Sequence, residues 1–246
     1  MTAVPAWPPE SLPRLYIDAP MHEGAAVPLD QRQAHYVGTV MRRQVGDALH
    51  VFNGRDGEWR GELVDVAKKR AMLKLTGKTR EQEAPTGVTL AFAPIKKQAI
   101  DVLIEKAVEL GVETLQPVLT QRTNAARIGA ERIEKNIVEA AEQCGRTALA
   151  ELRTPVRLEK WLMQRDGGPL YFADETGGAP ALDSFAPPPA TILIGPEGGF
   201  TPEERAMIRG EEGAVAISLG PRILRAETAA LAAIAAYMAS AGDWTA

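Results

Sequence analysis

The stretch Thr191–Ala230, TILIGPEGGFTPEERAMIRGEEGAVAISLGPRILRAETAA, decides the fold that we predict for this chain. It opens with the run Thr191–Ile194, whose β-branched residues are typical of a buried strand. The strand breaks at Gly195-Pro196-Glu197-Gly198-Gly199, where three glycines in five residues leave the backbone bare. A ligand can therefore lie directly against the main chain at this point.

Helix-start signals follow the glycine-rich loop at once. Thr201 is suited to the N-cap, and Pro202 is suited to the first helical position. Glu204 completes a T-x-x-E capping box with Thr201. We therefore predict a helix that begins directly after the loop.

The same order of elements then repeats. A strand is predicted over Ala214–Leu219, Gly220-Pro221 breaks it, and an alanine-rich helix begins near Ala226. We expect the two loops to lie side by side at the carboxyl edge of a parallel sheet, where open α/β sheets bind ligands.

A glycine-rich turn between a strand and a helix is also compatible with a purely structural role. Neither G-x-G-x-x-G nor G-x-x-x-x-G-K-[ST] occurs in this stretch, so no phosphate-binding signature is present. The second loop, however, carries Arg222 and Arg225 beside Glu227 and Thr228, which is a costly set of polar groups for a structural turn. The residue types alone indicate a small-molecule pocket.

The composition favours a soluble chain with room for two domains. The 246 residues are 45% hydrophobic, and the single cysteine, Cys144, cannot form an internal disulfide. The N-terminal MTAVPAWPPE lacks the basic and apolar regions of a signal peptide. The longest apolar run, Ala229–Ala239, is shorter than the roughly 20 residues of a membrane span. We therefore expect a cytoplasmic protein.

The charge is unevenly distributed. The net charge is −4, but residues 1–80 hold 12 Lys and Arg against 9 Asp and Glu, a local excess of +3. A protein that holds a phosphate backbone needs a local basic face rather than a basic total. The distribution permits RNA binding by the N-terminal part and does not require it.

Short strands and turns dominate the N-terminal part. Strands are predicted over Arg14–Asp18, Ala48–Phe52 and Ala71–Thr76. A helix over Asp30–Arg43, with Asp30 as its N-cap, places Val37, Val40 and Met41 on one face. This pattern predicts a small β-barrel over residues 1–80.

A polar linker, EQEAPTG at residues 81–87, separates this part from a strand–helix alternation over residues 88–246. Strands are predicted over Val88–Ala93, Thr114–Leu119 and Leu170–Ala173. Helices are predicted over Lys97–Leu110, ending at Gly111, and over Glu131–Gln143, with an irregular segment from Gly145 to Thr154. The alternation indicates an α/β domain with a mainly parallel sheet.

Two segments resemble a known family. IGPEGGFTPEE and SLGPRILRAETAALAAIA resemble the two C-terminal motifs of the SPOUT methyltransferases, specifically the bacterial 16S rRNA m3U methyltransferases of the RsmE family. PIKKQAIDVLIEKAVELGV and EAAEQ followed by Arg146 also resemble segments of that family. The chain departs from the family pattern at Cys144, where Ser is common, and at Ala148-Leu149-Ala150.

The resemblance implies an N-terminal PUA-like barrel that contacts RNA and a SPOUT-type α/β domain with a C-terminal trefoil knot. It also implies S-adenosylmethionine as cofactor, 16S rRNA in the small ribosomal subunit as partner, and a homodimer. No metal site is expected, because three scattered histidines and one cysteine form no ligand set. The residues that the resemblance assigns to the cofactor are Leu193, Ile194, Gly195, Pro196, Glu197, Gly198, Gly199, Leu219, Gly220, Ile223, Leu224 and Thr228.

The implied chemistry suggests roles for charged side chains. N3 of uracil is nucleophilic only after its proton is removed, so a base or a cation that stabilises the anion is needed. We expect Arg225, supported by Arg222 or Arg122, to stabilise the uracil anion. We expect Glu197 or Glu227 to hold or receive the proton that leaves N3. RNA contacts are expected from Arg42, Arg43, Arg55, Lys96, Arg122 and Arg146.

Two other classes of function remain open at this point. One is a SPOUT methyltransferase that acts on tRNA or on a ribose 2′-OH, which the PUA-like N-terminus disfavours. The other is a non-catalytic RNA-binding factor in ribosome assembly, which would not need an intact cofactor loop. A nucleotide-dependent dehydrogenase is more distant, because the dinucleotide fingerprint is missing.

Overall fold

The computed structural model describes residues 12–123, 129–165 and 167–245. The N-terminal segment MTAVPAWPPE, in which the sequence shows no signal-peptide pattern, lies outside the described residues. Contacts group the chain into two units, which we call the N-terminal unit (Met1–Ala84 with Ala141–Ala148) and the C-terminal unit (Pro85–Ala140 with Leu149–Ala246). Each is described by itself.

The N-terminal unit contains a five-stranded sheet with the order β1-β3-β4-β5-β2. Its strands are β1 Arg14–Tyr16, β2 Ala26–Leu29, β3 Ala48–Phe52, β4 Glu58–Ala67 and β5 Arg70–Arg80. Neighbours run antiparallel except β1 and β3, which are parallel. Residues from all five strands form one buried core.

The predicted helix of this unit begins as expected but changes geometry part-way. Asp30 caps α1 (Gln31–His35) in a capping box with Gln33. The chain then continues as a π-helical segment, Tyr36–Val40. Val37 is buried, but Val40 is exposed, so its predicted place on the buried face is wrong. The wider π turn moves Val40 off the face that a 3.6-residue period predicts, whereas Met41 still packs against the core.

The C-terminal unit contains a parallel sheet with the order β11-β13-β10-β12-β6-β7-β8, and β9 pairs separately with β7. The strands are β6 Val88–Phe92, β7 Thr114–Leu119, β8 Glu151–Leu152, β9 Val156–Arg157, β10 Leu170–Ala173, β11 Ala179–Pro180, β12 Ala190–Ile194 and β13 Ala214–Ser218. Every pairing between them is parallel. An α/β class is therefore correct for this unit.

The helices alternate with these strands. They are α2 Lys97–Glu109, α3 Ala130–Cys144, α4 Leu158–Gln164, α5 Ala181–Ser184, α6 Pro202–Arg209 and α7 Ala226–Ser240, followed by a 3₁₀ turn at Asp243–Thr245. The sequence pattern did not predict α4 and α5, which are short, nor the two-residue strands β8, β9 and β11. In the part of the chain that is described, no helix has the length and apolar character needed to span a bilayer.

The strand order corrects one expectation about the two glycine-proline loops. They follow β12 and β13, but these strands are not neighbours, because β10 lies between them. The loop that follows β10 therefore lies at the same carboxyl edge, between the two predicted loops. Sequence order alone could not reveal this insertion, since β10 precedes both strands in the chain.

Candidate active site

The glycine-rich loop after β12 depends on the absence of side chains at two positions. A Cβ on Gly195 would lie 2.9 Å from the ring of Phe200, which is buried. Gly199 has a φ of 67°, and a Cβ there would overlap the carboxylate of Glu175. Leu193 and Ile194 are buried, with Leu193 in the hydrophobic core beside Phe200. These leucine and isoleucine residues therefore offer a ligand mainly their backbone.

The predicted start of α6 is confirmed. Thr201 is the N-cap, Pro202 is the first helical residue, and the Thr201–Glu204 capping box is complete. The backbone N–H of Thr201 donates to Glu204 Oε2 at 2.9 Å, and the N–H of Glu204 donates to Thr201 Oγ1 at 3.2 Å. The helix therefore begins immediately beyond the loop Gly195–Gly199 and fixes one end of it.

The segment after β7 contacts the same loop. Arg122 Nη1 donates to the carbonyl of Gly198 at 2.7 Å, and the N–H of Gln121 donates to Glu204 Oε1 at 2.7 Å. The structure thus brings Arg122, which the sequence suggested as a supporting cation and as an RNA contact, to the glycine-rich loop. Its guanidinium is exposed and carries its charge to the edge of the sheet.

The loop after β10 supplies an ionic anchor that the sequence pattern did not reveal. The side chain of Asp174 is fully buried and pairs with Arg205 at 3.0 Å and Arg209 at 2.7 Å. Burial raises the pKa of Asp174, but hydrogen bonds from Arg209 and Thr176 and the charge of Arg205 outweigh it and lower the pKa below its ordinary value. Asp174 is therefore an ionised link between this loop and α6.

The loop after β13 is open and carries two arginines. Arg222 is exposed, and Arg225, also exposed, is the N-cap residue of α7. Among the described residues, no carboxylate lies within ion-pair distance of either guanidinium. Ile223 is 94% exposed, which is unusual for an isoleucine. The loop thus presents two cations and one apolar side chain.

The remaining predicted residues of this loop surround the start of α7. Gly220 has a φ of 104°, with open space where a Cβ would lie. Leu219 and Leu224 are half-buried, and Thr228 is exposed. Glu227 is half-buried, and its Oε2 is shielded from solvent without a hydrogen-bond partner among the described atoms. A buried, unpaired carboxylate oxygen is costly unless a donor satisfies it.

The predicted RNA contacts of the N-terminal unit differ in how available they are. Arg42 is exposed with a φ of 54°, while the Nε of Arg43 is buried and has no hydrogen-bond partner among the residues that the structure describes. Arg55 is exposed and pairs with Asp18 at 3.2 Å. The side chain of Arg146 is 11% exposed and pairs with Glu83 at 2.8 Å, which favours a structural role.

A buried ionic network holds the segment 141–148 within the N-terminal unit. Glu58 is 3% exposed and accepts hydrogen bonds from Arg14 at 2.6 Å and Arg80 at 2.8 Å. Arg14 also donates to the carbonyls of Ala141 and Arg146. Burial raises the pKa of Glu58, but the hydrogen bonds from Arg80 and Arg14 outweigh it and hold the pKa at about 2.

The N-terminal unit also has an open groove of about 700 Å³ with a basic lining. Its lining residues are Asp30, Gln31, Arg32, His35, Lys68 and Lys69. Three of these side chains are permanent cations on the surface, and such groups can contact a phosphate backbone. The hydrophobic pattern of the sequence could not predict this groove, because it does not show that α1 lies beside the turn that carries Lys68 and Lys69.

Comparisons with known proteins agree with this architecture. The family described as "RNA methyltransferase domain" matches residues 82–238, and the family described as "RNA methyltransferase PUA domain" matches residues 29–76. The ribosomal RNA small subunit methyltransferase E of Rickettsia conorii is 32% identical over 227 residues, covering 90% of this chain and 93% of the relative.

The chain belongs to the ribosomal RNA small subunit methyltransferase E family.

Two solved structures extend this likeness to the fold. The small subunit methyltransferase E of Neisseria gonorrhoeae, bound to S-adenosylmethionine, has a TM-score of 0.85 at 28% identity, covering 95% of this chain and 99% of that one. A methyltransferase of Legionella pneumophila in complex with the same cofactor has a TM-score of 0.84 at 31% identity, covering 94% and 99%. The small subunit methyltransferase E fold therefore extends over nearly the whole chain.

Several features at the carboxyl edge fit the cofactor of this methyltransferase E family. The loop Gly195–Gly199 offers bare backbone, Ile223 offers an exposed apolar surface, and Glu227 Oε2 has no hydrogen-bond donor within the described part of the chain.

Outside the carboxyl edge, Lys106 forms ion pairs with Glu105 and Glu109 on an exposed part of α2. These contacts are local to the helix. Among the described residues, no group of three or more His, Cys, Asp or Glu side chains is arranged to hold a metal ion.

Proposed function

We propose that this protein transfers the methyl group of S-adenosylmethionine to N3 of a specific uridine in the 16S rRNA of the small ribosomal subunit. Family membership across 90% of the chain supports rRNA methylation with this cofactor. The observation that carries the finer proposal is the pair of loops, Gly195–Gly199 and Leu219–Arg225, at one edge of the parallel sheet. The first is suited to a neutral ligand and the second is cationic.

In this proposal, both loops bind the cofactor. Main-chain groups of residues 193–199 and 219–220 contact the adenine and ribose, because hydrogen bonds from the backbone need no charged anchor. Ile223 and Leu224 supply apolar contact, and Thr228 supplies a hydroxyl at the start of α7. When bound, S-adenosylmethionine supplies a methyl group activated by its sulfonium. The residues then have to align the acceptor and exclude water.

Arg225 is proposed to stabilise negative charge on the uracil once N3 has lost its proton. It is exposed at the N-cap of α7, and the described residues provide it with no ion-pair partner. Arg222 lies three residues earlier in the same loop and supports this role, while Arg122 approaches from the segment after β7. Fixed cations near a developing anion lower the free energy of the transition state.

The proton on N3 requires an acceptor, and two carboxylates are proposed for it. Glu197 is exposed in the glycine-rich loop, where a substrate base can reach it. Glu227 has a buried oxygen to which no described residue donates a hydrogen bond, which suits a group that accepts a proton from a bound substrate. A base that is paired in a duplex hides N3, so the target uridine must be unpaired or flipped.

We further propose that residues 1–80 bind RNA, residues 81–87 link the domains, and residues 88–246 form the methyltransferase domain with a trefoil knot. Arg42, Arg43 and Arg55 are the proposed phosphate contacts, together with Lys96, the exposed N-cap residue of α2, and Arg122. The match of a PUA family to residues 29–76 supports the first assignment.

The protein is further proposed to act in the cytoplasm as a homodimer without a metal. The half-buried residues Ala229, Ala232 and Ala236 on α7 support the dimer. Their spacing of three and four residues places them on one helical face, and small side chains allow close helix packing.

A methyl-transfer assay tests the proposed function. Small ribosomal subunits that lack the modification, and naked 16S rRNA, are incubated with labelled S-adenosylmethionine, and the product nucleoside is identified by mass spectrometry. We expect labelled 3-methyluridine. Label in another nucleoside would contradict the N3 assignment while leaving methyl transfer intact. Cofactor binding without any transfer would contradict the proposed activity.

A further inference from the structure

Glu204 is a buried charged residue that the proposed chemistry does not use. It lies in the first turn of α6 and is 0% exposed. A carboxylate is rarely buried unless each oxygen is satisfied, because transfer of the charge out of water is costly. Its hydrogen-bond partners therefore indicate its role.

The two oxygens of Glu204 accept hydrogen bonds from two distant parts of the chain. Oε2 accepts from the N–H of Thr201, which is the local bond of a capping box. Oε1 accepts from the N–H of Gln121, 83 positions away in the chain, at 2.7 Å. The second bond adds nothing to the cap. It ties the start of α6 to the segment after β7.

A second capping box among the described residues, at the start of α1, shows why this position needs a carboxylate. Gln33 occupies the same position in α1, and its Oε1 accepts from the N–H of Asp30 at 3.0 Å. Its Nε2 donates to the carbonyl of Tyr16 at 2.8 Å, so an amide matches a partner that is an acceptor. At Glu204 an N–H donor faces each of the two oxygens; a carboxylate accepts at both positions, whereas an amide would place its NH₂ against one of the donors.

The segment tied by Glu204 is itself a fixed turn that reaches the glycine-rich loop. The N–H of Thr120 donates to Thr123 Oγ1 at 2.9 Å, closing the turn. Between them, Arg122 donates to the carbonyl of Gly198 at 2.7 Å. Arg122 therefore holds the loop at Gly198. Gln121, the residue before it, holds Glu204 at the start of α6, which directly follows the loop.

We propose that Glu204 is a positioning residue that holds the loop Gly195–Gly199 in its ligand-binding conformation by fixing the segment Thr120–Thr123. This inference rests on the proposed function, in which that loop binds S-adenosylmethionine. A loop that is ordered before binding loses less conformational entropy when the ligand arrives. Glu204 thus contributes to cofactor affinity without touching the cofactor.

The test compares Glu204→Gln with its exposed neighbour Glu203→Gln, which removes the same charge one residue away. Binding of S-adenosylmethionine is measured by calorimetry without RNA. Gln at position 204 can accept only one of the two N–H groups and turns its own NH₂ toward the other. We expect the Kd of Glu204→Gln to rise about tenfold, the change that corresponds to losing one charged hydrogen bond. Glu203→Gln is expected to stay within about twofold.

Two readouts separate positioning from a general loss of stability. The KM for S-adenosylmethionine should rise in Glu204→Gln, while kcat at saturating cofactor stays within about threefold of the wild type. Arg122→Ala, an exposed change that leaves the buried carboxylate in place, should also weaken binding. Because both residues act through one segment, their effects in the double variant should be less than additive.

The outcomes separate failure of this inference from failure of the proposed function. Wild-type protein that does not bind S-adenosylmethionine would overturn both. If the wild type binds and Glu204→Gln binds equally well, the positioning role alone is overturned. Loss of kcat in proportion to loss of affinity, or additive effects with Arg122→Ala, would also overturn it, because either result points to independent damage. If Glu204→Gln does not fold, unchanged affinity in Arg122→Ala overturns the role.

Discussion

At the residue scale, the candidate site is defined by charged groups that have no ion-pair partner among the described residues. Most arginines near the carboxyl edge are engaged, since Arg205 and Arg209 pair with Asp174 and Arg122 donates to Gly198. Arg225 is exposed and has no ion-pair partner among the described residues. A cation that no structural contact uses can interact with a substrate anion without first breaking an ion pair.

We predict that Arg225→Ala lowers kcat by about 100-fold or more and changes cofactor affinity little. Removal of a group that stabilises transition-state charge has effects of this size. The measurement is single-turnover methyl transfer, paired with calorimetric binding of S-adenosylmethionine. Arg157→Ala, another exposed arginine of the C-terminal unit, is the control and should retain activity. Full turnover by Arg225→Ala would rule out the assigned role.

A second prediction concerns Glu58, whose folded-state pKa of about 2 lies well below the usual 4.5. A lowered pKa contributes stability that is complete above about pH 5 and is lost as the pH falls toward 2. The full shift corresponds to about 3 kcal/mol in the free energy of unfolding. Glu58→Gln lacks this contribution, so its deficit relative to the wild type should shrink as the pH falls from 6 to 3.

The measurement for Glu58 is urea unfolding at several pH values in that range. Glu62→Gln, on the same strand, is the control. The side chain of Glu62 is 46% exposed, and its oxygen lies 3.8 Å from Arg60, so this ion pair is weak. Its deficit should be small at every pH. A deficit for Glu58→Gln that does not change with pH would show that the ionised network is not the source of the stability.

At the element scale, α6 is the helix on which the site depends. Its N-terminus directly follows the glycine-rich loop. Its residue Glu204 accepts a hydrogen bond from Gln121, in the segment after β7, and its residues Arg205 and Arg209 pair with Asp174 in the loop after β10. Helix α7 is fixed in another way. The hydroxyl of Tyr237 donates to the carbonyl of Ala186 at 3.0 Å, and burial raises the pKa of Tyr237 to about 12.

We predict that Asp174→Asn lowers the free energy of unfolding by about 2 kcal/mol or more, because it leaves two arginines without their buried partner. Glu175→Gln is the matched control, since Glu175 also pairs with Arg205, but its side chain is 51% exposed. An exposed pair is worth less than about 1 kcal/mol. Chemical unfolding of both variants at neutral pH measures the difference. Equal losses would contradict the view that the buried carboxylate anchors α6.

At the scale of the whole molecule, the chain combines a part that matches an RNA methyltransferase PUA domain with a part that matches an RNA methyltransferase domain. The buried face of α7 includes Ala230, Ala233 and Tyr237. A second face, with Ala229, Ala232 and Ala236, is only half-buried in the single chain. The proposed homodimer would cover this second face.

We predict that the wild-type protein is a dimer by light scattering and that Ala232→Glu shifts it toward the monomer. A carboxylate in a close helix contact loses its hydration without a partner, which costs several kcal/mol. Ala26→Glu, an exposed position on β2, is the control and should remain dimeric. A monomeric wild type, or a dimeric Ala232→Glu protein, would contradict the proposed role of this face.

The amino-acid sequence alone determined that strands and helices alternate after residue 88, and it placed the capping box at Thr201 and the start of α7 at Ala226. These features follow from local propensity and short-range hydrogen bonds. It also supplied the motifs by which the family was recognised. It missed the π-helical segment that turns Val40 to solvent, since the change in helical period leaves no clear pattern.

Only the tertiary structure decided which loops share the carboxyl edge. Strand order placed β10 between β12 and β13, and with it came Asp174 and its two arginines. The second partner of Glu204 lies 83 positions away. Such contacts depend on the register and order of parallel strands joined by long crossovers, and hydrophobic periodicity carries information only about neighbours along the chain.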